Sequence, residues 1–474
     1  MSVHRLIALL SVLCCAGGFN SVEAADRPNV LFIAVDDLND WIGCLGGNPQ
    51  CKTPNIDRLA ARGVLFTRSY CAAPACNPSR AALMTGIRPS TSGVYLNPQP
   101  WRPAMPDVVT LPQHFMKHGY EALGSGKIYH GRYDEDASWN DYLRKGEKGG
   151  DPDPSQEVLK DPHSRAGGIV WGVLDVPDKA MNDYHMVNYA IEHLEAEHDK
   201  PFFLACGLFK PHMPWQVPRK YYEMYPLDEI TLPKVLDTDL EDVPQAGVKM
   251  ARPQGDHATI LKTDNWKYAV QAYLASIAFA DAQVGRLLDA LDAGPHKDDT
   301  IVILWGDHGW HLGEKHHWRK FTLWEEATRA PLMITAPGVT KPESVCERTV
   351  DFLSIYPTLC ELCDLPVPEH CEGPSVAGLL KNPQAEWDRP ALTTHGRNNH
   401  AVRSERYRYI RYEDGSEELY DHQSDPMEWT NLADDPRHAS VKEQLAAHLP
   451  KHNAPNAEFD RERRRRNRAE HRRD

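Results

Sequence analysis

Four short apolar runs in this chain break off in the same way, into residues that carry chemistry. Asn29 to Val35 (NVLFIAV) ends in Asp36-Asp37, and Tyr120 to Leu123 leads into Gly124-Ser125-Gly126-Lys127 and then His130. Phe202 to Leu208 ends in Lys210-Pro211-His212, and Thr300 to Trp305 (TIVILW) ends in Gly306-Asp307-His308. Runs of this length, rich in β-branched and aromatic residues, read as buried strands. Helical spacing lies between them, over Asn55 to Arg62, Trp266 to Leu291 and Asp351 to Leu362. Such alternation predicts an α/β fold, a mostly parallel sheet with helices on both faces. Ligands bind beyond the carboxyl ends of the strands in these sheets. Four separate strands therefore aim acids, lysines and histidines at one crevice, and that convergence predicts an active site.

The chain has 474 residues, room for one large α/β domain and a smaller one, and no internal repeat. From Pro374 onward the pattern changes. Ala401 to Tyr412 and Glu418 to Asp421 read as short strands, Pro426 to Leu432 as a loop and Ser440 to Leu449 as a helix. The expected organisation is a catalytic domain over 26–374 and a smaller C-terminal α+β subdomain over 375–460. Residues 1–25 read as a secretory signal: Arg5, an apolar run from Leu6 to Cys15, and a small-residue cleavage pattern near Ala24-Ala25. That run is too short to span a bilayer, so the expectation is a secreted or periplasmic protein without stable membrane insertion.

A formal net charge of −14 argues against general affinity for nucleic acid. Residues 461–474 run the other way, with eight Arg against three acids, and read as a solvated basic tail. Export changes how the cysteines are read. Without Cys14 and Cys15, nine of the eleven remain, an odd number that leaves at least one thiol unpaired. Cys346, Cys360, Cys363 and Cys371 cluster as candidates for bridges or core. Cys360-x-x-Cys363 is a weak zinc signal, since no second pair with ligand spacing follows.

The sharpest local signal is Cys76-Asn77-Pro78-Ser79-Arg80, followed by Ala81-Ala82-Leu83-Met84-Thr85-Gly86. Pro78 suits the first turn of a helix and puts Cys76 near its positive N-terminus. A thiol there is either reactive, with a depressed pKa, or a buried structural cysteine, and the local pattern alone leaves both open. Cys-x-Pro-Ser-Arg with Leu-x-Thr-Gly downstream resembles the modification signature of the type I sulfatases. Several neighbouring stretches resemble the iduronate-2-sulfatase branch: Asp36-Asp37-Leu38, Thr53-Pro54-Asn55-Ile56-Asp57, Gly126-Lys127-Ile128-Tyr129-His130, Lys210-Pro211-His212 and Asp307-His308-Gly309-Trp310. The likeness runs over roughly residues 28–340, with a weaker echo in Leu419-Tyr420-Asp421 and Asp425-Pro426.

The resemblance implies an alkaline-phosphatase-like fold and a sulfuric ester hydrolase. It implies that a formylglycine-generating maturation enzyme oxidises Cys76 to an aldehyde, whose hydrate carries two hydroxyls on one carbon. One hydroxyl attacks sulfur and displaces the alcohol; the second collapses to the aldehyde and expels sulfate. Asp36, Asp37, Asp307, His308 and the modified Cys76 are the implied calcium ligands, and hard carboxylate oxygens suit calcium better than zinc. His308 stands where most type I sulfatases have Asn, a departure shared with the iduronate-2-sulfatase branch. Arg80 is implied to steady the hydrate, and Lys127 and Lys320 to grip the sulfate. His212 is implied to protonate the leaving alcohol, and His130 to accept the proton released with sulfate.

His308, His311, His316 and His317 crowd one stretch, but with carboxylates dominating the pocket they read as wall and substrate contacts rather than as a zinc site. Three further stretches are candidates for the mouth of the site: Asn97 to Arg102, His311 to Arg319 and His395 to His400. They supply Trp101, Arg102, Trp318, Arg319 and Arg397 for stacking on a sugar and pairing with a carboxylate or second sulfate. If they converge, the pocket takes a chain end, with a 2-sulfated uronic acid as first candidate. The alternatives are a phosphonate or phosphate ester hydrolase with the same nucleophile, and an inactive sulfoglycan-binding relative. The second of these sits badly with a chain in which every expected position is filled.

Overall fold

A computed structural model describes residues 27–460; the expected signal peptide and the basic tail lie outside the described residues. The centre is an eight-stranded sheet. Its strands are β1 (Asn29–Val35), β2 (Val64–Tyr70), β3 (Glu121–Gly126), β4 (Asp141–Leu143), β5 (Phe202–Leu208), β6 (Thr300–Gly306), β7 (Leu332–Thr335) and β8 (Ser344–Asp351), ordered β8-β2-β7-β6-β1-β5-β3-β4. All are parallel except β7, which runs antiparallel between β2 and β6. The first, third and fourth of the apolar runs match β1, β5 and β6 within a residue.

Period-2 alternation divides the core. From β1, Leu31, Ile33 and Val35 face one layer with α1 (Pro54–Arg62), α3 (Asn182–Glu195) and the 28-residue α4 (Trp266–Ala293). Val30, Phe32 and Ala34 face the other layer, with α2 (Cys76–Thr85) and α5 (Ile355–Leu362). Because both faces are covered, each central strand is apolar throughout, and its first polar residues fall past its end.

The second run differs from its sequence reading. Gly124-Ser125-Gly126 looks like a turn but continues β3, pairing with Ala205, Cys206 and Gly207 of β5. The glycines are there for proximity. A Cβ on Gly126 would lie 1.9 Å from the Gly207 carbonyl oxygen, and one on Gly207 would lie 2.4 Å from the Lys127 backbone. That approach lets Lys127 N donate to Gly207 O at 2.9 Å and sets where the lysine leaves the sheet.

A smaller antiparallel sheet follows, of β9 (Ala391–Thr394), β10 (His400–Arg403), β11 (Tyr407–Arg411) and β12 (Glu417–Asp421). Ala401, Ile410 and Tyr420 pack on Trp324, while Val402, Tyr409 and Leu419 pack on Leu445 of α6 (Ala439–Ala446). Val376, Leu379 and Leu380 belong to the large core, so the chain reaches the small sheet only at Ala391. Of the two readings of the cysteine cluster, core rather than bridges holds: Cys346, Cys360 and Cys363 are buried in the large core with Cys371 packed against it, and all nine cysteines from Cys44 onward carry free thiols.

Buried charge holds the small sheet to the large unit. Arg408 of β11 is fully buried, with its Nε 2.5 Å from Glu428 and its NH2 paired to Glu325. Arg408→Ala takes the buried cation from both carboxylates, leaving Glu325 to Arg403 and Glu428 to His422, and is expected to cost about 3 kcal/mol. Urea unfolding monitored by tryptophan fluorescence checks this. A cost below ~1 kcal/mol would mean the sheet is held by its apolar contacts alone.

Candidate active site

Each polar segment past the strands is delivered where the parallel sheet predicts. Asp36 and Asp37 follow β1, Lys127 and His130 follow β3, His212 follows β5, and Asp307 and His308 follow β6. Facing them, Cys76 is the first residue of α2, with Pro78 in its first turn. All ten residues of that helix are buried. Asn77 braces its start, with its N 2.9 Å from Asn97 Oδ1 and its Nδ2 2.6 Å from Gln99 O.

At the centre, Cys76 Sγ lies 3.3 Å from His308 Nε2 and accepts from Lys320 Nζ at 3.3 Å. Lys320 also donates to Asp37 Oδ1 at 2.6 Å, over the face of Trp310. Arg80, four residues and about one turn on from Cys76, is fully buried. Its Nε donates to Asp307 Oδ2 at 2.9 Å and its NH2 to Asp36 Oδ1 at 3.2 Å. Lys127 Nζ completes the ring by pairing with Asp36.

Asp37 sits in the left-handed region at φ 61°, a conformation costing of order 1–3 kcal/mol that persists only when its surroundings enforce it. Here they do. Asp37 N donates to Asp307 Oδ1 at 3.0 Å, and the Tyr273 hydroxyl donates to Asp37 O at 2.7 Å. Nothing in the sequence signals Tyr273, because it lies within the apolar spacing of α4.

The electrostatics separate the groups. Burial opposes ionisation of Asp36, but Lys127, His212 and Arg80 hold its carboxyl well below the usual range. For Asp37 burial prevails over Lys320 and the carboxyl is raised. The Cys76 thiol is lowered, since Lys127 and Lys320 outweigh its burial. Burial works against a charged His308, yet Asp307 and the sulfur raise it to about 9. Burial and Lys127 push His130 down to about 3, and its Nδ1 has no partner. Burial also takes His212 to about 4, despite Asp37 nearby at 4.0 Å.

A cation fits here. Asp37, Cys76, Asp307 and His308 each offer one ligand atom within 4.8 Å of the others, as do Asp36, Asp37, Cys76 and His212. Asp37 Oδ2 is buried with no hydrogen-bond partner, so one carboxylate oxygen lacks the donor that burial demands.

Not every expected residue faces the cleft. Trp101 is 1% exposed, stacked on Tyr129 at 5.2 Å, and its Nε1 donates to Tyr133 O. Arg102 lies over that ring and pairs with Glu135. Neither is free to hold a substrate, so their assignment as binding residues is corrected: both are structural. Arg397 is exposed and donates to Asn453 O at 3.2 Å. Two further histidines of the run, His311 and His317, have both ring nitrogens committed within the fold. His311 bonds Thr322 Oγ1 and Glu314 O, and His317 bonds Ala251 O and Lys320 O.

The last described stretch packs on the segment that follows α2: Ala454 N donates to Ser90 O, Ala457 N to Gly93 O, and Asp460 N to Pro98 O. No helix among the described residues is long and apolar enough to cross a membrane.

Comparison with known proteins finds the sulfatase family model over residues 28–365, and the model of the N-sulphoglucosamine sulphohydrolase C-terminal region over 313–454. A sulfatase of Formosa agariphila is 42% identical over 451 residues, covering 91% of this chain and 88% of that protein. Iduronate 2-sulfatase of Homo sapiens is 32% identical over 419 residues, covering 77% and 75%. Among solved structures, a phosphonate monoester hydrolase of Agrobacterium radiobacter superposes with a TM-score of 0.75 at 23% identity, over 89% of this chain and 94% of that one.

Proposed function

This chain belongs to the sulfatase family and is a sulfuric ester hydrolase, and on that premise we propose that it removes sulfate from a sulfated sugar with a nucleophile made from Cys76. The observation that carries the reading is the position of that side chain: buried at a helix start, in contact with Lys320 and His308, where four strand ends meet. The likeness to iduronate 2-sulfatase favours a 2-sulfated uronic acid as substrate.

In this proposal Cys76 is oxidised to formylglycine, whose hydrate supplies an attacking hydroxyl and a second one for release. Asp36, Asp37, Asp307, His308 and the modified Cys76 hold one calcium ion, which would polarise the sulfate oxygens. Arg80, pinned between Asp36 and Asp307, steadies the hydrate. Lys127 and Lys320 are charged and buried, so they grip sulfate without reorganising. His130, a neutral ring with a free nitrogen, accepts the proton freed as sulfate leaves. His212 is also neutral in the free site; the negative ester offsets Lys127 and Lys320, and so favours the protonated ring that the leaving alcohol needs. We further propose that the catalytic unit runs past the expected boundary at 374, through the segment that holds Val376, Leu379 and Leu380, with the smaller unit from about Ala391 to 460, and that the mature protein lies outside the cytoplasm after cleavage near Ala24-Ala25.

A panel of defined sulfated saccharides assayed for sulfate release tests the substrate. Paired nitrophenyl sulfate and phosphate esters test the reaction, and preference for the phosphate would overturn it. The role of His212 has its own test. His212→Ala should cut turnover of a sugar sulfate by roughly 10²–10⁴, the usual worth of a positioned acid. Nitrophenolate hardly needs a proton, so the loss on that ester should be much smaller. Equal losses would make His212 a sulfate-binding residue.

A further inference from the structure

A cavity of about 520 Å³ lies against the catalytic centre, lined by Lys249, Arg252, His317, Arg319, Phe321 and His395 among others. Phe321 is its wall toward the reaction. Its N donates to Pro74 O at 3.1 Å, two residues before Cys76, and its ring lies 5.7 Å from Lys320 Nζ. His395 packs on that ring at 5.9 Å and follows Thr394, whose N donates to Ala72 O at 2.9 Å. A single aromatic ring thus separates the cavity from the amine that touches Cys76.

The cavity is positively charged. Lys249, Arg252 and Arg319 line it against one acid, Asp256. Arg319 is committed to that acid, its Nε 2.7 Å from Asp256 Oδ2. Arg252 is exposed, and its guanidinium has no hydrogen-bond or ion-pair partner among the described residues. The backbone supplies a second, independent sign. Arg319 and Phe321 occupy the left-handed region, at φ 84° and 78°, with no helix end to account for it, whereas Arg252, at φ 51°, takes it as the C-terminal cap of the helix Gln245–Ala251. Conformations of that kind are costly for such side chains and concentrate at ligand clamps.

We propose that this cavity is a second anion subsite, which receives the sugar next to the one being desulfated. Arg252 and Lys249 grip a carboxylate or sulfate on that neighbour, and Phe321 supports its ring face. The proposal rests on the sulfatase reading and deepens it.

The test is kcat/KM for sulfate release from three disaccharides with the same sulfated end, whose second sugar bears a sulfate, a carboxylate or neither. The native protein should favour the two anionic ones by about tenfold, the scale of one charge-assisted contact, with the difference in KM. Arg252→Ala should bring the ratio near one, and Arg252→Lys should keep much of it. Both charges are exposed, so thermal melts of the variants should match the parent. Equal rates on all three in the native protein would overturn the subsite and leave the sulfatase reading intact. A preference that survives Arg252→Ala combined with Lys249→Ala would overturn it as well. Release from none of the three, with nitrophenyl sulfate also inert, would sink the reading beneath it.

Discussion

Cys76→Ala is expected to lose sulfate-ester turnover by about 10⁴-fold or more, because it removes the atom that every other group in the cleft is arranged around. The protein should still fold. Cys76 opens a helix whose first turn tolerates alanine, and deleting one buried sulfur costs on the order of 1 kcal/mol. The serine variant separates nucleophilic attack from release. Its single hydroxyl can accept sulfate but has no second hydroxyl on the same carbon to expel it, so a sulfated protein should accumulate on the serine. Intact-mass analysis of the peptide containing residue 76 reads both states. In native protein from a host with maturation activity it should show the aldehyde or its hydrate. Unchanged turnover in Cys76→Ala would end the mechanism.

Asp307→Ala is expected to act twice. Activity should fall by about 10³-fold or more, since the calcium that would offset charge on the sulfate loses a hard ligand and Arg80 loses the carboxylate that fixes it. Stability should fall as well. Arg80 is fully buried between Asp307 at 2.9 Å and Asp36 at 3.2 Å, and removing one partner leaves its charge under-compensated, at a cost of about 3–5 kcal/mol. Elemental analysis then distinguishes the loss of an ion from the loss of a fold. Native protein should retain stoichiometric calcium, and the variant should not retain it even below its melting temperature. Stoichiometric zinc, with activity restored only by zinc, would refute the calcium assignment.

The central strands were legible because a parallel sheet buried on both faces leaves an unbroken apolar run with its polar residues at the end. Asn29–Val35 and Phe202–Leu208 match their sequence reading residue for residue. Val64–Tyr70 went unread: VLFTRSY mixes polarity because Thr67 and Arg68 are only half-buried. The residues proposed to act here were legible in part for the same reason, since Asp36, Asp37, Lys127, His130, His212, Asp307 and His308 each follow a strand end, whereas Lys320 was reached only through the family resemblance. What supports them was not. Tyr273, which holds the strained Asp37, looks like any aromatic in an apolar helix. Trp101 illustrates the opposite error. An aromatic beside an arginine reads alike whether it faces a sugar or, as here, is covered by Arg102 and stacked on Tyr129. Only long-range packing tells the two apart.

The central place of β1 also sets a timetable. It is the first strand among the described residues to leave the ribosome, yet its neighbours are residues 202–208 and 300–306. The second of these is made about 265 residues later (300 minus 35). At roughly 5–20 residues per second, β1 waits on the order of 10–50 s for a complete set of hydrogen bonds. That is a hazard for the nascent chain, which must keep a bare apolar strand from associating with others. It is also an opportunity. Cys76 is 1% exposed once the molecule closes, so an enzyme that must reach its sulfur has this interval in which to do so. On the proposed maturation of Cys76, synthesis that outruns the modifying enzyme would yield molecules that are well folded and permanently idle.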